Sequence, residues 1–195
     1  MGYYTETTDS SIFLHKNHFE DVYKKMCELN DYHDLKRGGS FGGNNDAVES
    51  DRYPKDKWFS WMPYNYPEIY SDMHSILEAV GFEITYDKDD NLVGLYYGNK
   101  TGAEDYFLTC LAGFVRNESF ILWKGEESDD YYRYLFKNGK MIVQHAQVQI
   151  TYPDEYTITY EFGKPSPSDI QMNAWLKARQ DDKAKEKALA GTSID

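Results

Sequence analysis

The chain has 195 residues, with 21 Lys+Arg against 33 Asp+Glu, a formal charge of −12. A protein that works by neutralising nucleic-acid phosphates needs a basic stripe to displace counterions, so that class is excluded. Aromatic residues at 16% and apolar residues at 41% exclude a disordered acidic chain too, because such chains have little to bury.

Residues 3–14, rich in Tyr and Thr and ending Ile12-Phe13-Leu14, read as a first strand. A helix follows: Asn17 and Glu20 have capping-box spacing, and Phe19, Val22, Tyr23, Met26, Cys27 and Leu29 fall mostly on one face. Residues 31–56, with the glycine-rich run at 38–43, exceed the usual connection length and form a working or a mobile loop. Trp58-Phe-Ser-Trp-Met-Pro-Tyr-Asn-Tyr-Pro67 is the most aromatic stretch. Pro67 suits the first residue of a second helix, whose Ile69, Met73, Ile76, Leu77 and Val80 share a face and whose end is Gly81.

Phe82–Tyr86 and Leu92–Tyr97 flank the turn-forming Asp87-Lys-Asp-Asp-Asn91, which predicts a hairpin. Thr101 and Glu104 have the spacing of another capping box, opening a helix with Phe107, Leu108, Leu111, Phe114 and Val115 apolar. Strands are then expected over 119–124, 131–136, 140–151 and 156–162, with Asn138-Gly139 a two-residue hairpin signal. In the strand over 140–151, Ile142, Ala146, Val148 and Ile150 share one face and Met141, Val143 and His145 the other, so one face is core and the other partly wet. Gly163–Ser168 reads as a linker and Ser168-Asp169 as the cap of a last helix with a single apolar triplet, Met172, Trp175 and Leu176. Strands in runs rather than strict alternation with helices predict an α+β domain over 1–162, a mainly antiparallel sheet with three packed helices, followed by a tail over 163–195.

Met1-Gly-Tyr-Tyr4, Asp34-Leu-Lys-Arg-Gly-Gly39, Trp58–Met62, Phe120–Glu126, Tyr132–Phe136 and Gly139-Lys140 carry a similarity. Over about residues 1–145 the chain resembles a family of uncharacterised small bacteriophage and prophage proteins. The resemblance implies a phage setting and no defined activity, since its motifs are hydrophobic and turn-forming.

The chemistry-bearing residues form no recognised catalytic or metal set. The glycine run lacks the Gly-Lys-Ser/Thr that opens a helix in a P-loop; Lys36, Arg37, Gly38, Gly39 and Ser40 are the residues an anion would meet. Asp87-x-Asp89-x-Asn91 lacks the Gly and Glu of a calcium loop, and His15 and His18 have no matching third ligand. Cys27 and Cys110 sit in apolar helical contexts and read as buried thiols in a reducing cytoplasm. The pairs Glu104/Asp105 and Glu126/Glu127 are read as solvated surface. No cofactor is expected, nor is an export signal or a membrane span evident.

What remains is a surface. Trp58, Trp61, Tyr64 and Tyr66 fit no period and form either a satellite core or an aromatic platform for a partner. The first 150 residues hold −10 of the −12, and Asp87, Asp89 and Asp90 with Glu126, Glu127, Asp129 and Asp130 concentrate it on two turns. The expectation is a non-enzymatic phage-type interaction protein that binds a host or phage protein for host takeover or counter-defence. Met172, Trp175 and Leu176 offer a second contact or a route to a homo-oligomer. The other classes are an acidic DNA mimic, a virion or assembly component, and a nucleotide or small-molecule binder using the glycine-rich loop with the aromatic segment.

Overall fold

The computed structural model describes residues 3–37, 50–127, 130–151 and 157–162. They form an α+β fold around one antiparallel sheet. The strands are β1 (Tyr4–Ser11), β2 (Phe82–Tyr86), β3 (Leu92–Lys100), β4 (Ser119–Gly125), β5 (Tyr131–Lys137), β6 (Lys140–Thr151) and β7 (Thr157–Phe162). Their order across the sheet is β2-β3-β1-β4-β5-β6-β7. The helices are α1 (Phe19–Leu29), α2 (Tyr66–Ile69), α3 (Met73–Val80) and α4 (Glu104–Thr109). The tail with Met172, Trp175 and Leu176 lies outside the described residues, as does the loop over 38–49.

One face of the sheet carries the core. Along β4, Ser119, Ile121, Trp123 and Gly125 are buried while the residues between them are only partly covered, the period-2 signature of a sheet with one packed face. Trp123 is fully buried, with Tyr132 stacked parallel to it at 6.0 Å, Phe82 edge-on, and Tyr97 and Tyr134 tilted around it. Val22 and Met26 of α1, Ile76 and Leu77 of α3, and Phe107 and Leu108 of α4 complete the same cluster. In β6 the core-facing side is that of Met141 and Val143, which lie opposite Phe136 and Tyr134. Ile142 instead faces the other way, opposite Leu135, which itself lies opposite Phe120.

Three sequence expectations change. The predicted second helix is two, because Tyr70 is extended and Asp72 starts α3 afresh, its carboxylate accepting from the backbone N–H and hydroxyl of Ser75 at 2.7 and 2.8 Å. Those bonds hold the Asp72 carboxyl below its ordinary range. Asn17 does not cap α1: a 3₁₀ turn over Lys16–His18 precedes the helix, and His15 Nδ1 accepts from the Asn17 N–H at 3.2 Å. Glu104 reaches back not to Thr101 but to the Gly102 N–H, at 2.6 Å, because the Thr101 N–H is already donated to the Tyr3 carbonyl. The punctuation residues behave as expected. Gly81 ends α3 at φ +115°, and Asn138-Gly139 turn β5 into β6 with both φ positive.

Trp123 touches four aromatic rings with no side exposed, so Trp123→Ala is expected to cost about 3–5 kcal/mol, measured by urea denaturation.

Candidate functional site

The aromatic segment divides rather than acting as a unit. Tyr66 is fully buried, its hydroxyl donates to the Met26 carbonyl, and its ring lies 5.5 Å from Phe107 and 6.4 Å from Phe59. Tyr64 is buried as well, and its hydroxyl accepts from the Ser50 N–H at 3.2 Å. Trp58 is half-buried and its indole N–H is enclosed. These three are therefore packing residues and not the exposed platform. The physical reason is the two-sided burial available to rings on a segment pressed between α1 and α4.

Trp61 is different. It is 41% exposed and sits at φ +69°, a left-handed backbone that a bulky side chain rarely adopts. Its indole lies on Gly102: a Cβ built there would come within 2.5 Å of Trp61 Nε1 and 2.7 Å of Cδ1, so only a glycine leaves room for the ring.

Gly102 lies just past β3, and this fixes what surrounds Trp61. The neighbouring Thr101 N–H donates to the Tyr3 carbonyl at 2.7 Å. Lys100 and Tyr4 are paired across the strands, with the ammonium 5.4 Å from the centre of the Tyr4 ring, which is itself 50% exposed. The turn after β4 closes on the same end. The Tyr4 N–H donates to Glu126 at 2.8 Å and the Tyr3 hydroxyl to Asp130 at 2.5 Å. A Cβ at Gly125 would strike both Asp130 and Tyr3, so the turn also depends on a glycine. Trp61, Tyr4, Lys100, Glu126, Glu127 and Asp130 thus gather at one pole of the sheet. Tyr4, Lys100 and Gly102 carry no sequence signal for this; only strand register brings them together.

The second acidic turn sits at the opposite pole. Asp87–Asn91 joins β2 to the start of β3, where Leu14 bridges Leu92, whereas the Glu126–Asp130 turn lies beside the far end of β3. The nine residues of β3 separate them by about 27 Å. Lys100 and Lys124 stand at the Glu126 end, where Lys124 pairs with Glu6 at 3.4 Å. The two turns do not build one continuous negative face. Asp87 is in any case spent inside its own turn, accepting from the Asn91 side chain and from the Asn91 and Asp89 N–H groups, which holds its carboxyl below the ordinary range. Asp89 and Asp90 stay exposed; Asp129 and the glycine-loop residues Gly38, Gly39 and Ser40 lie outside the described residues.

The Glu104/Asp105 pair, read as solvated surface from the sequence, is buried at Glu104 and partly covered at Asp105. Glu104 is only 6% exposed, and burial raises its carboxyl above the normal value. Asp105 is half-covered; desolvation, with Glu104 alongside it, pushes its carboxyl up to about 7. Lys36 is buried at 4% exposure, while Arg37 stays exposed. Burial pushes the Cys110 thiol up to about 12 and raises that of Cys27, which disarms both as nucleophiles near neutrality. His74 is half-exposed between Tyr86, at 2.8 Å from Nδ1, and Glu78, at 3.0 Å from Nε2. Among the described residues no group of three or more His, Cys, Asp or Glu is placed to hold a metal ion, and no helix is long and apolar enough to cross a membrane.

The raised Asp105 carboxyl has a definite sign. The folded state holds the proton more tightly than the unfolded chain, so stability is greatest below the unfolded value near 3.8 and falls as pH rises toward 7. Asp105→Asn is expected to raise the melting temperature by several degrees at pH 8 and to change it little at pH 4, flattening the decline between them. Thermal melts of both proteins across that range measure the difference.

No known protein family, curated protein or solved structure matches the chain.

Proposed function

We propose that the chain is a non-enzymatic interaction protein of phage type that binds and modulates a host or phage protein through the pole carrying Trp61. The observation that supports this reading is a large aromatic residue held half-exposed in a left-handed backbone conformation. Such strain costs about 1–3 kcal/mol and persists where the surroundings over-determine it, a pattern that clusters at binding and catalytic sites. Trp is also the residue type most enriched at interface hot spots, and Tyr4 beside Lys100 extends the apolar area around it. Glu126 and Glu127 at the rim would steer a basic partner and set its orientation rather than supply most of the affinity.

The acidic DNA mimic draws less support, because its two acid clusters lie at opposite ends of β3. A DNA mimic needs a run of negative charge that follows a groove.

Trp61→Ala removes a half-exposed ring and is expected to leave the melting temperature within a few degrees. It should reduce recovery of the partner in affinity capture by roughly tenfold or more. A double Glu126→Lys, Glu127→Lys variant should slow association and lose its effect at high salt. Capture that is unchanged by Trp61→Ala but abolished by removing residues 163–195 would move the binding surface to the tail.

A further inference from the structure

The sheet has apolar residues on the face that the core does not use. Phe120 of β4, Leu135 of β5 and Ile142 of β6 lie side by side across three strands in direct register. Their strand neighbours Ile121, Tyr134, Phe136 and Met141 belong to the core cluster around Trp123, and the three themselves do not. Leu122 lies two positions along β4 from Phe120, opposite Arg133, whose guanidinium donates twice to Gln144 Oε1. Leu135 is 8% exposed, and Phe120, Leu122 and Ile142 are partly buried. The buried apolar residues of α1, α2, α3 and α4 all go into the cluster on the opposite face, so among the described residues no helix is placed over this row. A sheet face left to water reads polar at alternate positions. These positions are apolar.

The course of the chain decides what is placed to cover them. β7 runs antiparallel to β6 with Phe162 paired to Ala146, so the chain leaves β7 heading toward the Ile142 end of β6. Four residues of β6 separate Ala146 from Ile142, about 14 Å, and Leu135 lies one strand further, about 5 Å. Thirty-three residues follow Phe162, and Pro165 and Pro167 favour an extended start. At about 3.1 Å per residue, residues 163–169 reach about 22 Å, enough to bring a helix opening near Ile170 onto the row. The helix expected there has one apolar stripe, Met172, Trp175 and Leu176, at the i, i+3, i+4 spacing of a single face. Residues 163–195 carry six Lys or Arg against five Asp or Glu, which leaves −13 on residues 1–162. A second copy brought to this face sets like charge against like, whereas the tail does not.

We infer that residues 163–195 fold back over the outer face of β4–β6, with Met172, Trp175 and Leu176 against Phe120, Leu135 and Ile142. The tail is then a third layer of the same domain, on the side of the sheet opposite α1, α3 and α4. The row lies at the ends of β4 and β5 away from the Glu126–Asp130 turn. Docking of the tail therefore leaves the Trp61 pole open and takes the Trp175 stripe away from any partner.

The test is hydroxyl-radical footprinting of the full chain, read residue by residue by peptide mass spectrometry. A Trp175→Ser, Leu176→Ser double variant is expected to raise the labelling of Phe120, Leu122 and Ile142 severalfold, while Trp123 stays protected as in the wild type and reports an intact core. Wild-type labelling of the row should be the same at two protein concentrations about twentyfold apart, because a contact within one chain does not obey mass action. A double-mutant cycle with Ile142→Ala and Trp175→Ala, measured by urea denaturation, should show a coupling of at least about threefold in the unfolding equilibrium constant. Labelling that ignores the tail substitutions, or a cycle that is additive, overturns the docking. Wild-type labelling that rises on dilution overturns it as well and assigns the cover to a second copy.

Discussion

The connection between α1 and α3 is held by one buried phenol. Tyr66 donates its hydroxyl to the carbonyl of Met26 in α1 while its ring packs edge-on against Phe59 and Phe107. A long loop loses much conformational entropy when it is ordered, and a single residue that satisfies both its apolar ring and its polar tip offsets that cost at one point. Asn30, at the end of α1, adds a second tie by donating to the Tyr64 carbonyl at 3.0 Å. With Tyr66 fixed, the rest of the segment has few places to go. Phe59 and Met62 enter the core, and Met62 closes a turn onto the Phe59 carbonyl. Trp61, between them, is turned outward with a left-handed backbone.

The candidate surface follows from that anchoring. Where the segment runs toward α4 it delivers Trp61 onto Gly102, beside the strand ends that carry Tyr4, Lys100 and the Glu126 turn. Where it runs back along α1 it brings Arg52 to 4.0 Å from Asp31 and lays the Tyr53 ring 5.8 Å from the Lys36 ammonium. At the pole, apolar area is left in water.

The α+β class, the antiparallel hairpins and most strands were legible in the sequence because they depend on local alternation and on turn residues with fixed conformational demands, such as Asn138-Gly139 and Gly81. Helix interiors were legible for the same reason. Helix starts were less so: the capping-box spacing at Asn17–Glu20 and at Thr101–Glu104 was present, but α1 and α4 begin after His18 and Ala103 with no side-chain cap, while α3 takes its cap from Asp72. A cap needs its donor free, and a neighbouring strand had already taken the Thr101 N–H. The candidate site was legible only as a segment. Nothing in the Trp58–Tyr66 pattern separated Trp61 from Tyr64 and Tyr66, because their fates turn on which core cavity lies within reach.

Composition and pattern determined an acidic, aromatic-rich antiparallel α+β fold and the turn residues that punctuate it, since each of these is set by neighbours within a few positions along the chain. Only the tertiary structure decided where the charge lies. The two acidic turns fall at opposite ends of β3, Glu104 and Lys36 are inside, and Tyr4, Lys100 and the Glu126 turn meet Trp61 at one pole. Strand register and helix docking bring together residues up to 127 positions apart in sequence. Burial, which sets both pKa and exposure, is a property of that meeting and of no single stretch of chain.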